Sequence, residues 1–274
     1  MKLKYLGTAA AEAYPAIFCD CENCRKAFKL KGKNIRSRAQ AIIDNTLLID
    51  FGCDTYYHCR TNDINMHDIR NCLVTHIHKD HFYSLEFLYL QKAYSHPAPD
   101  FKLNLYGSED VEKIVNELPQ GVFTFLNFVK INAFEPFKVD KYTVTPLKAY
   151  HGSPNPLIYA VSDGEKTVLY GHDTDIFPDA TWEYMINNKM HFDLVSLDCT
   201  EGAYEDLNYH GHMCLGRNIT CRDRMLKENL IDKKTKVVLN HFSHNGINSL
   251  YDEFEPIAAE KGFITSYDGM EVEA

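Results

Sequence analysis

Residues 73–82 read LVTHIHKDHF and place His76, His78, Asp80 and His81 within six positions. Imidazole nitrogens and carboxylate oxygens suit Zn²⁺, and also Mn²⁺ or Fe²⁺, so the ligand types do not decide the metal. The apolar run Cys72–His78 reads as a strand, and on an extended backbone His76 and His78, two apart, project to one side. Asp80 and His81 follow at the start of a predicted helix over Phe82–Tyr94. Four ligand types packed like this can be divided between two neighbouring cations. A lone histidine is ordinarily a core or surface residue; four ligands leaving one apolar strand have no comparable structural explanation.

Three more candidates stand at the tips of apolar runs: His151 after TPLKAY, Asp173 in TVLYGHD and His241 after KVVLN. Each alone is ambiguous, since an aspartate such as Asp173 also serves as a helix cap or turn residue. Together they repeat one design, in which an apolar strand delivers a ligand at its C-terminal tip. A separate cluster, FCDCENC (Phe18–Cys24), gathers Cys19, Cys21 and Cys24. Three thiolates are one ligand short of a closed tetrahedral zinc site. Nine cysteines are an odd number for a disulfide framework, and clustered thiols without an export signal favour metal over disulfide. The opening MKLKYLGTAAAEA imitates a signal peptide, but its apolar stretch is short and interrupted, so a cytoplasmic protein is expected.

The elements that must position these residues are many short strands and spaced helices. AQAII and TLLID, joined by Asp44-Asn45, read as a hairpin. Strands are also expected in LNLYG, YTVTPLKAY, LIYAVSD, KTVLYGHD, DLVSLDC, KVVLNHF and GFITSYDG. Helices are expected over Phe82–Tyr94, Ser108–Leu118, Asp179–Asn187, Cys214–Asn229 and Ser249–Lys261. Hairpins imply antiparallel pairing, so two sheets between helix layers fit better than a doubly wound parallel sheet. One domain over all 274 residues is the simplest organisation. The net charge of −9 and the absence of a basic run argue against a long nucleic-acid partner and leave room for a small phosphorylated substrate. No apolar run approaches the ~20 residues of a transmembrane helix.

The order HxHxDH, then His, Asp and His, resembles the metallo-β-lactamase fold superfamily of binuclear hydrolases. The resemblance spans nearly the whole chain and implies an α/β, αββα four-layer sandwich. It implies that His76, His78 and His151 hold one metal and Asp80, His81 and His241 the other, with Asp173 bridging. Two such ions would activate water, with Asp80 at the reacting centre, and clamp a phosphoryl oxygen during in-line displacement.

Within the superfamily, LGTAAAEAYPAIFCDCENC, LNHFSHN and YDGMEVEA are similar to the cyclic phosphodiesterases of the carbon–phosphorus lyase (phosphonate utilisation) pathway. That likeness implies a structural zinc on Cys19, Cys21, Cys24 and His244. It also places a phosphate-contacting, proton-donating histidine just ahead of the helix near Cys214. His212 fits that place best, with His210 as its rival.

The expected function is therefore a metal-dependent phosphodiesterase acting on a small cyclic or nucleotide-like phosphodiester. One alternative is a tRNA 3′-end endonuclease, although the long basic arm of such enzymes is missing here. Another is a non-catalytic accessory protein resembling that of pyrroloquinoline-quinone biosynthesis, which would be expected to lack some of the seven ligands. A homodimer is left open, because no interface can be read from one chain. His172 reads as a structural residue. Glu201, Glu205 and Asp206 read as a solvated acidic loop that would restrict very anionic substrates.

Overall fold

A computed structural model describes residues 1–274. Two seven-stranded mixed sheets carry the molecule. In the first the order is β14 (Glu271–Glu273), β1 (Lys2–Gly7), β2 (Gln40–Ile43), β3 (Leu47–Ile49), β4 (Asn71–Leu73), β5 (Leu103–Gly107) and β6 (Leu126–Lys130). In the second it is β13 (Ile264–Thr265), β12 (Lys236–Asn240), β11 (Leu194–Asp198), β10 (Thr167–Gly171), β9 (Leu157–Ser162), β8 (Tyr142–Lys148) and β7 (Phe137–Val139). The expected hairpin is present, with Ile42 opposite Leu48. Its turn residues Asp44 and Asn45 both take positive φ, the backbone of a tight primed turn that Asp and Asn tolerate.

The strands alternate faces with period two, and the alternation sorts side chains into three apolar layers. Leu3, Tyr5, Ile43, Ile49, Tyr159, Tyr170 and Val238 pack between the sheets. On the outer side of the first sheet, Leu6, Ile42 and Leu105 meet Val111 and Val115 of helix α3 (Glu109–Val115). On the outer side of the second, Val237 and Leu239 meet three helices, α4 (Asp179–Asn187), α5 (Leu215–Lys227) and α6 (Tyr251–Glu260). Their inward residues Trp182, Met225 and Phe254 are fully buried. The architecture is thus the αββα sandwich expected from the sequence.

Several elements differ from expectation. The strand predicted over Cys72–His78 ends at Leu73. Its continuation leaves the sheet because the Thr75 amide donates to the Asp50 carboxylate, 2.8 Å, rather than to a neighbouring strand. His76 and His78 therefore stand on a loop and not on a pleat. The helix predicted over Phe82–Tyr94 is a 3₁₀ segment, Ser84–Leu90. Phe51 bridges to Phe82, and the Tyr83 amide bonds the Phe51 carbonyl, which holds the segment away from α-helical geometry. Asp80 and His81 consequently lie in a turn. Two helices went unread: α1 (Glu22–Leu30), which begins directly at Cys21, and α2 (Thr55–Thr61). No helix is long and apolar enough to cross a membrane.

Candidate metal centre

Strands β10, β11 and β12 run parallel and adjacent, so their C-terminal ends open on one edge of the sandwich, where crevices form in α/β sheets. Asp173 lies two residues beyond β10, Asp198 ends β11, and His241 immediately follows β12. The loop after β4 brings His76, His78, Asp80 and His81 to the same edge, and the loop after β8 brings His151. The seven candidates form two groups sharing Asp173: His76, His78, His151 and Asp173, and Asp80, His81, Asp173 and His241. Within each, the ligand atoms all lie within 4.8 Å of one another.

The fit to cations rests on which atoms face each other. His81 Nε2 and His241 Nε2 are 3.3 Å apart, and His151 Nε2 and His78 Nδ1 are 3.1 Å apart. His76 Nε2 and Asp173 Oδ1 are buried without a hydrogen-bond partner. Buried polar atoms are normally satisfied, so a cluster of mutually facing donors and acceptors at one point suits a shared cation. The far nitrogens are held from behind. His81 Nδ1 meets Asp50 Oδ2 at 2.7 Å, His76 Nδ1 meets Thr75 Oγ1 at 3.0 Å, and His241 Nδ1 meets Thr200 Oγ1 at 2.9 Å. Such partners fix ring orientation and leave the other nitrogen free to ligate.

Electrostatics divide the cluster: burial opposes the charged form of His81, but Asp80 and Asp50 outweigh it and raise that imidazole well above its usual range, whereas His76 and Asp173 shift downward. Burial, then the neighbouring His81, pushes His76 down to about 4, keeping it neutral as a ligand must be. Burial opposes ionisation of Asp173, but His241, His76 and His81 outweigh it and hold the carboxyl well below the usual carboxylate range. Asp50, Asp173 and His241 all take positive φ. Non-glycine residues in that region cluster where the surroundings over-determine a site.

The cysteine cluster gathers separately. Cys19, Cys21, Cys24 and His244 have their ligand atoms within 4.8 Å of one another. His244 Nδ1 stands 3.6 Å from Cys19 Sγ and 3.5 Å from Cys21 Sγ. Cys21 caps α1 by accepting from the Cys24 amide, and Asn23 Nδ2 donates to the His244 carbonyl at 2.8 Å. Although burial opposes it, the Cys24 amide and His244 bring the Cys21 thiol down to about 6. Four donors with no open position suit a structural ion.

His212 and His210 fall in different surroundings. His212 Nδ1 lies 3.2 Å from Asp198 Oδ2, 3.2 Å from Thr200 Oγ1 and 3.3 Å from Asp173 Oδ1. It joins a further metal-competent group with Asp173, Asp198 and His241. His210 instead bonds Asp175 Oδ2 at 2.7 Å, outside these groups, with its side chain 69% exposed. His172 is in the core, held by Ser196 Oγ at 2.6 Å and Asn240 Nδ2 at 3.1 Å. In the acidic loop, Glu201 accepts from Tyr209, and Asp206 pairs with Arg217.

Sequence reading missed Asp198, Asp50, Thr200 and Arg217. Asp198 is fully buried and accepts from the amides of Thr200 and Met213, at 3.0 and 2.9 Å, as well as facing His212. The available signal was an aspartate ending the apolar run LVSLD, the same tip position that marked Asp173 and His241. Arg217, on α5, is also buried and binds Asp175 through Nη1 at 2.9 Å and the carbonyls of Leu207 and Tyr209. It clamps the loop that carries both histidines.

The fold recurs in solved structures. A diphosphatase from the PhnP family superposes with a TM-score of 0.75 at 19% identity, covering 100% of this chain and 97% of that one. Zn²⁺-bound PqqB from Methylobacterium extorquens superposes with a TM-score of 0.75 at 15% identity, covering 100% of each chain. The metallo-β-lactamase fold protein YhfI from Bacillus subtilis gives 0.70 at 18% identity, covering 100% and 99%. No curated protein sequence matches the chain. At these identities the structural likenesses establish the metallo-β-lactamase fold alone. Residues 39–214, well over half of the chain and spanning the first six candidate ligands through His212, match the family model described as anti-Pycsar protein Apyc1, and the protein therefore belongs to that family.

Proposed function

We propose that this protein is a binuclear-metal-dependent hydrolase, specifically a phosphodiesterase cleaving a small cyclic or nucleotide-like phosphodiester. The observation that carries the proposal is the convergence of seven ligand side chains with His212 beside them, itself backed by buried Asp198. His76, His78 and His151 would hold one cation, Asp80, His81 and His241 the other, and Asp173 both. Two divalent cations there would supply Lewis acidity and activate water for attack on phosphorus. Zn²⁺, Mn²⁺ and Fe²⁺ all suit the donor set.

The chain's own residues do the rest. Asp50, Thr75 and Thr200 orient the ligating imidazoles. Asp198 and Thr200 hold the His212 Nδ1 side, leaving Nε2 for a leaving oxygen. Protonation of that oxygen by a positioned imidazole contributes ~10²–10⁴-fold in rate. The PhnP-family neighbour is described as a diphosphatase, which supports a phosphorus-centred substrate. The acidic residues Glu201, Glu205 and Asp206 favour a substrate with a single negative charge. A non-catalytic accessory role fits less well, because none of the seven candidate ligands is missing.

The test is a panel of bis(p-nitrophenyl) phosphate, cyclic nucleotides and ribose 1,2-cyclic phosphate, run after Zn²⁺ or Mn²⁺ reconstitution. Hydrolysis of at least one, lost on chelation, is expected. No turnover under either metal would sink the enzyme reading, and a steep loss of activity with added salt would favour a tRNA endonuclease.

A further inference from the structure

We propose that Gln40, aimed by His58, is a positioning residue for the metal centre: it fixes the backbone of Asp50 and, through Asp50, the imidazole of His81; this rests on the binuclear-centre reading above. Asp50 lies one residue beyond β3 and takes a φ of 69°. Non-glycine residues persist in that region only where their surroundings hold them. The Asp50 carboxylate is the pivot. Oδ1 accepts from the Thr75 amide and hydroxyl, both at 2.8 Å, and Oδ2 meets His81 Nδ1 at 2.7 Å. A shift of the Asp50 backbone would therefore turn His81.

Gln40, on the neighbouring strand β2, is fully buried and supplies the hold. Its Nε2 donates to the Asp50 carbonyl at 2.8 Å and to Thr55 Oγ1 at 3.0 Å. The orientation of the amide is dictated by these partners. The Asp50 carbonyl can only accept, and the Thr55 hydroxyl directs its own hydrogen to the Gly52 carbonyl at 2.7 Å. Both contacts require the NH₂ group, so Oε1 faces His58 Nδ1, 2.6 Å away, and that nitrogen carries a hydrogen.

His58 is held in turn. Its Nε2 meets Ser37 Oγ at 2.7 Å, and that oxygen lies 2.6 Å from Asp268 Oδ2. Gly7 is paired opposite Gln40 on β1, and a Cβ there would stand 2.7 Å from His58 Nε2 and 2.0 Å from the Arg38 carbonyl oxygen. Only a residue without a side chain lets the ring sit where it does. Thr55 and His58 belong to α2, which contributes no residue to the metal-competent groups. Packing alone would be served by apolar side chains at these buried positions. A fully satisfied polar network instead fixes one geometry, and here it ends on the carboxylate behind His81.

Losing the partner behind a ligating histidine weakens metal binding roughly 10- to 100-fold. Gln40 acts one step further back, so Gln40→Met, similar in length and without a donor, should weaken one of the two cations about tenfold. The experiment titrates the full chain with Zn²⁺ against a chelator and with Co²⁺ by visible absorption. It compares wild type with Gln40→Met, His58→Leu, His58→Asn, Asp50→Ala and the Gln40→Met/Asp50→Ala double variant. Gln40→Met and His58→Leu are expected to weaken one active-site cation and alter the Co²⁺ spectrum, with the cation on the cysteine set unmoved. His58→Asn, whose NH₂ can stand in for Nδ1–H, should rescue the loss. The double variant should bind no more weakly than Asp50→Ala, because Gln40 acts through Asp50. If Gln40→Met does not fold, the contrast of His58→Leu with His58→Asn decides. Unchanged affinity in Gln40→Met, equal weakening at the cysteine set, no rescue by His58→Asn, or losses that multiply in the double variant would overturn the positioning role while leaving the binuclear reading intact. Wild type that binds no pair of cations beyond the cysteine site would overturn both.

Discussion

Replacing Asp198 by asparagine tests whether His212 works as a positioned proton donor. Asp198 is completely buried, with four donors converging on its two oxygens. Oδ1 accepts from the Thr200 and Met213 amides, and Oδ2 from Thr200 Oγ1 while facing His212 Nδ1 at 3.2 Å. Asparagine keeps the shape but has one acceptor oxygen. Two backbone amides on the Oδ1 side require that oxygen, so the new NH₂ must face Thr200 and His212. The hydroxyl can rotate to accept, whereas His212 loses a charge-assisted bond of about 1.5–3 kcal/mol. That corresponds to a roughly 10- to 150-fold fall in kcat.

His212→Ala sets the ceiling, with a loss of ~10²–10⁴. Because Asp198 is taken to act through His212, the double variant should be no slower than His212→Ala. The assay is steady-state hydrolysis of a phosphodiester from the panel, with metal content measured in the same samples. A rate within twofold of wild type for Asp198→Asn with metals retained would refute the reasoning. So would losses that multiply in the double variant.

Other expectations follow from separate parts of the molecule. Cys21→Ala should remove one zinc equivalent, lower the melting temperature and disturb activity only indirectly; full zinc content with unchanged melting would defeat the structural-site assignment. His58 is buried, and desolvation pushes its pKa down to about 4, so the unfolded chain binds its proton first as pH falls. Its contribution is intact above pH ~6.5 and lost towards pH ~4, amounting to about 2 kcal/mol between pH 7.5 and 5. Urea unfolding should show that slope reduced in His58→Gln, and identical slopes would exclude it. Gly52→Ala would place a Cβ 1.8 Å from the Asp80 carbonyl oxygen, so backbone must move at the ligand loop. A stability loss of about 3 kcal/mol with weakened metal binding is expected, and wild-type melting would show that the loop yields freely.

The candidate centre was legible because its ligands use local signals. HxHxDH is compressed into one loop, and Asp173 and His241 follow apolar strands. The fourth partner of the cysteines, His244, is 225 residues from Cys19, and it was found through a resemblance rather than through spacing. Asp50 and Asp198 were missed because a carboxylate at a strand end acquires its role only from what packs against it. His81 and His212 arrive from 31 and 14 residues away. The helix read over Phe82–Tyr94 failed for a similar reason, since its tether to Phe51 is a tertiary contact that overrides a local pattern. Arg217 carried no sign at all, because a basic residue on a helix ordinarily faces solvent.

The most direct test of the central claim is the metal content of reconstituted protein, wild type against Asp173→Ala. If the seven residues hold two cations through a shared Asp173, wild type binds three equivalents per chain, counting the cysteine site. Asp173→Ala then loses cations from the binuclear site while retaining the one held by Cys19, Cys21, Cys24 and His244. Wild type with a single cation, or a stoichiometry unmoved by the loss of Asp173, would contradict it.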